Sequence, residues 1–259
     1  MTTPGHGRRR ALRALLFVPW ALAANAQKDE RPRLVAAMRL AVLAERAAKL
    51  HVQVARGVLA DRSRRAMAEV VREFEATRRS AAERLPDPEA RDNYLLLRLL
   101  WADFRPWAER APSRDSVRQV ADRVEEIAWI ATKGARLLHP GSSDSLAMRA
   151  SLACVLSQRV PRLLLMHRQA PGEPGRDTAE AFAALNALLE QLAGAPLNTP
   201  ETRSQALIAQ AQMGFLERAA HALGSGAQTA RDAEVAAKAG DHILEVMERA
   251  AARYDAAGI

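Results

Sequence analysis

The chain has 259 residues and a formal charge of +8, from 38 basic and 30 acidic residues. Basic and acidic side chains are interspersed along it, so there is no nucleic-acid footprint. A single cysteine, Cys154, excludes an intramolecular disulfide, and no C-x-x-C-H is present to attach haem.

The first 26 residues read as an export signal. Arg8, Arg9, Arg10 and Arg13 form a basic start without an acid, and an apolar stretch, ALLFVPWALAA, runs from Ala14 to Ala24. Ala24-Asn25-Ala26 then supplies the small-x-small pattern that signal peptidase accepts. The apolar run is about half of the roughly 20 residues that a bilayer-spanning helix needs. Cleavage after Ala26 removes four basic residues and leaves 34 − 30 = +4. A soluble, periplasmic protein is the expectation.

From residue 31 onward the sequence reads as helix almost throughout. It is rich in Ala, Leu, Arg and Glu and poor in β-branched and aromatic residues. Helices are expected near 31–57, 61–84, 87–110 and 114–137. Gly57, Pro86 and Ala111-Pro112-Ser113 break them, Pro88 suits a first turn, and Ser113 suits a cap. His139 to Asp144 reads as a linker. Four more helices are expected near 144–168, 176–193, 199–223 and 227–256, with Thr199 capping and Pro200 in the first turn of the third. The expected architecture is all-α: two tandem antiparallel four-helix bundles, eight helices in all, after a signal peptide, with a first bundle over 27–138, a linker over 139–144 and a second bundle over 145–259. Helix should exceed 70% of the exported chain.

Leu40, Leu43, Ala47, Leu50 and Val54 are spaced 3, 4, 3 and 4, one apolar stripe along the first helix. Arg39 and Arg46, seven apart, share a face beside it. Trp101 and Phe104 read as core in the third helix, as do Met213 and Leu216 in the corresponding stretch of the second half. Cys154 sits among Leu152, Ala153, Val155 and Leu156 and reads as a small buried side chain.

The helical phrase VLAERAAKL at 42–50 returns as VLSQRVPRL at 155–163, starting 113 residues later. That period is too long for a solenoid unit and fits a duplicated domain. The phrase resembles the helix motif of the type IV pili methyl-accepting chemotaxis transducer N-terminal domain, the PilJ/NarX-like periplasmic sensor module. Ala195 to Glu201 and the tail from Ile243 to Arg249 look like stand-alone duplicated members of it. The resemblance implies a helical sensor whose partners are a small anion, a membrane-bound signalling protein and a second copy of itself. In the nitrate-sensing relatives one motif Arg reads the anion at a dimer interface; that position is Ala41 in the first copy and Cys154 in the second. The surviving candidates for ligand binding are Arg39, Arg46, Ser157, Gln158 and Arg159. Each Arg has two readings: a planar donor fork for a small oxyanion, or an ion pair with Asp or Glu on a neighbouring helix.

No cofactor is expected. His51, His139, His167, His221 and His242 include no pair at helical metal spacing. Neither a nucleophile elbow nor a phosphate loop is present, so the reading is not an enzyme. The alternative to a sensor is a helical interaction module whose ligand site has degenerated.

Overall fold

Alanine-rich helices pack closely, and this chain carries that to the point of enclosing two whole helices. The structure is a computed structural model; it describes residues 33–83, 85, 87–166, 175–225 and 229–259. The expected signal peptide, residues 1–26, lies outside them. Among the described residues there are eight α-helices and no strand. They are α1 (Leu34–Arg56), α2 (Ala60–Ala82), α3 (Pro88–Glu109), α4 (Arg114–Leu138), α5 (Leu146–Met166), α6 (Arg176–Ala193), α7 (Pro200–Gly224) and α8 (Ala230–Ala257). A 3₁₀ turn, Ser142–Asp144, bridges α4 and α5.

The breaks follow local chemistry. Gly57 ends α1 with φ +70, a left-handed cap that favours glycine. Asp87 caps α3, accepting from the Ala90 amide at 2.8 Å, with Pro88 in the first turn. Ser113 and Ser116 form a reciprocal capping box at α4, and Thr229 and Asp232 form one at α8. Thr199 accepts from the Thr202 amide at 3.2 Å ahead of Pro200.

The helices group four and four. In the first set α1 packs on α2 and α4, and α3 packs on α4; in the second α5 packs on α6 and α8, and α7 packs on α8. The two sets do not stand apart. α1 lies against α5 along its length, and Pro32–Ile259 forms one compact unit. Both central helices are therefore buried on nearly all faces, including Met38, Leu40, Ala41, Leu43 and Ala44 of α1 and Met148, Ala150, Ala153 and Cys154 of α5. No helix among the described residues is long and apolar enough to cross a membrane.

Trp101 and Phe104 are core, as are Met213 and Leu216. Trp101 stacks on Phe74 of α2 with ring centroids 3.6 Å apart, and on Phe104 at 5.2 Å. Burial pushes the Cys154 thiol up to about 12, so it stays protonated and unreactive near neutral pH.

α5 and α8 come close together at Gly240. A Cβ there would stand 2.4 Å from the Ser157 carbonyl oxygen and 2.5 Å from Pro161 Cγ. Pro161, inside α5, cannot donate to the carbonyl four residues earlier, which is that of Ser157. The carbonyl left without its helical donor faces the bare glycine. Gly240→Ala gains up to about 1 kcal/mol of helix propensity, but overpacking costs roughly 1–3 kcal/mol. The clash is with backbone and a rigid ring, so net destabilisation is expected in thermal unfolding. Gly214→Ala, whose Cβ would meet only Arg218 Nη1 at an ordinary 3.6 Å, should be neutral or stabilising. Equal behaviour of the two variants would refute the close contact.

Candidate functional site

The repeated phrase fills the seam between the two halves. Its fourth, fifth and eighth positions are Glu45, Arg46 and Lys49 on α1, and Gln158, Arg159 and Arg162 on α5. At the eighth position the cations go fully inside: Lys49 and Arg162 are 0% and 1% exposed. A buried cation requires a partner, and each finds one in the opposite half. Lys49 donates to Asp241 of α8. Arg162 of α5 reaches Glu45 of α1, with Nε–Oε2 at 2.9 Å and Nη2–Oε1 at 3.5 Å. It also lies 3.4 Å from Glu125 of α4. The exchange is reciprocal. Glu125 and Asp241 each stand two residues before a fully buried isoleucine, Ile127 and Ile243, on the last helix of their half.

Burial pulls Lys49 below the ordinary lysine value; Asp241 opposes this, while Arg46 and Arg62 of α2 reinforce it. Those two arginines are thus close enough for their fields to act on Lys49. Lys49, Arg46, Arg62 and Asp241 therefore share one charged patch.

The residues expected to bind ligand fare differently. Arg39 is committed, pairing with Glu73 of α2 at 2.6 Å and with Glu248 of α8. Arg159 pairs with Glu125 at 2.8 Å. Ser157 and Gln158 are buried: Ser157 Oγ donates to the Cys154 carbonyl at 2.7 Å, and Gln158 Nε2 donates to the Gly240 carbonyl at 3.1 Å. They tie α5 to α8. Arg46 stands apart. It is half-buried, and it makes no ion pair with any described residue. Arg46 Nε, Arg159 Nε and Gln158 Oε1 are buried atoms without a protein hydrogen-bond partner. Arg46 and Arg159 are the same position of the phrase, so the unpaired donor recurs in both copies.

The positions that the nitrate-sensing resemblance singles out, Ala41 and Cys154, are both buried core. Glu45, Lys49, Arg162, Glu125 and Asp241 were not among the sequence candidates, although they carry the charge of the seam. One sequence signal could have found the last two: aligning the ends of the halves sets Glu125-Glu126-Ile127 over Asp241-His242-Ile243.

His51 lies at the far end of α1, enclosed among α1, α3 and α4. Its Nδ1 is 3.0 Å from the Ala108 carbonyl and its Nε2 is 2.9 Å from Ser116 Oγ. Burial holds it below the usual histidine value, so it stays neutral and ties α1 to the capping box of α4. Among the described residues no three His, Cys, Asp or Glu side chains gather as a metal site.

No protein-family model matches the chain, and neither the curated proteins nor the solved structures contain a match.

Proposed function

We propose that the chain is an exported, periplasmic helical sensor module, similar to the type IV pili transducer N-terminal domain, that takes a small anion at Arg46 and reports to a separate membrane-bound protein. Two copies of the sensor phrase lie against each other inside one chain, the pairing that two chains make in the resembled family. Catalysis forms no part of this reading.

The observation that carries it is the solitude of Arg46. Arg39, Lys49, Arg159 and Arg162 are each met by a carboxylate, whereas Arg46 is half-buried with an unpartnered Nε. A planar guanidinium in that state suits a small oxyanion, which can accept two parallel donors. Lys49 and Arg62 raise the local positive potential, and bound negative charge would relieve the pressure on both. An anion held there would draw α1 and α2 together, which is the kind of helix shift by which such modules pass a signal.

The test is thermal unfolding of the exported chain with nitrate, nitrite, sulfate and phosphate. A specific ligand should raise the melting temperature by mass action. Arg46→Ala should abolish that rise and leave the ligand-free melting temperature within a degree or two, since no ion pair is lost. A second reading, an interaction module without a ligand, draws on the internal neutralisation of the other four cations. No response to any anion, with wild-type and Arg46→Ala proteins melting alike, would decide for it.

A further inference from the structure

We propose that the groove between the end of α1, the start of α4 and the last turn of α5 binds an amphiphilic organic anion, an apolar body that carries a carboxylate or phosphate head. The groove encloses about 650 Å³, within the usual range for small-molecule sites of roughly 300–1,000 Å³. Val52, Val117 and Met166, from the three helices in turn, give it an apolar floor, and Ala121 continues that floor along α4.

The rim is basic. Arg56 overhangs from α1, where its Nε donates to the Leu165 carbonyl at 2.7 Å and fixes the side chain across the gap to α5. Arg114 and Arg118 stand one turn apart on α4, exposed, and neither is paired with a carboxylate among the described residues. Asp122 is the single acid among the described residues of the lining. The start of α4 adds the positive end of its dipole; Ser113 caps the Ser116 amide.

Floor and rim together set the ligand class. A bare inorganic anion would satisfy the arginines and leave the floor wet. A neutral apolar molecule would cover the floor and leave the Arg114 and Arg118 guanidinium groups without a counter-charge. Only a molecule with both parts meets both demands. The groove shares no residue with the patch around Arg46, and the proposal does not rest on that site.

Isothermal titration of the exported chain with octanoate and with octyl phosphate, both below their micellar concentrations, tests it. Saturable one-to-one binding of at least one is expected, with octanol and inorganic phosphate at least tenfold weaker. The double substitution Arg114→Ala/Arg118→Ala should weaken binding at least tenfold. Ala121→Trp, which fills the floor, should do the same by a route independent of charge. Arg46→Ala should leave binding unchanged. No saturable heat with either probe would overturn the proposal, as would phosphate binding as tightly as octyl phosphate, both groove variants binding like the wild type, or loss of binding in Arg46→Ala.

Discussion

Glu45→Ala should cost about 3–5 kcal/mol of stability, because it strands the Arg162 guanidinium in the core. Arg162 is 1% exposed and Glu45 is fully buried. The fall-back partner, Glu125, lies 3.4 Å away and is half in solvent, so it recovers only part of the loss. Replacing both residues with methionine should return stability to near the wild-type level or above it, since well-packed apolar pairs often match or exceed a buried ion pair. Urea unfolding followed by circular dichroism would measure both. A single variant that loses under 1 kcal/mol would mean that water reaches the pair.

Trp101→Ala should cost a similar amount, about 3–5 kcal/mol, through the cavity it leaves and the stacking it removes from Phe74 and Phe104. Trp101→Phe should be much milder. The smaller ring gives up apolar burial worth roughly 1–2 kcal/mol. It also removes an indole N–H that is buried without a partner, a defect that costs about 1–3 kcal/mol in the wild type. The two effects are of similar size and opposite sign. If the Phe variant unfolds as readily as the Ala variant, the indole N–H contributes to stability and this accounting is wrong.

The helices were legible because their ends are written in local chemistry. Asp87-Pro88, Ser113, Thr199-Pro200 and Gly57 act on the residues beside them, so a linear reading finds them. The expected and observed helices differ by no more than three residues at either end. The aromatic core was legible for the same reason, since Trp101 and Phe104 fall on one helical face. The seam was not. Arg39 and Arg46 are indistinguishable by sequence, both polar and seven apart, yet Glu73 and Glu248 claim the first and no carboxylate among the described residues claims the second. That difference depends on which carboxylates α2 and α8 bring across, and no periodicity encodes it. The deeper burial of Lys49 and Arg162 was hidden too, because a cation at the edge of a stripe reads as solvated until another helix covers it.

The crossed pairing of Lys49 with Asp241 and Arg162 with Glu125 has a consequence for concentration. Two separate chains meeting through such a seam would come apart on dilution. Here a connection of a few residues, around Ser142–Asp144, holds the halves together at an effective concentration of order millimolar or more. The seam's occupancy is then the same in a cell with ten copies as in one with ten thousand. Each half keeps the other's counter-charge, so neither can be diluted away from its partner.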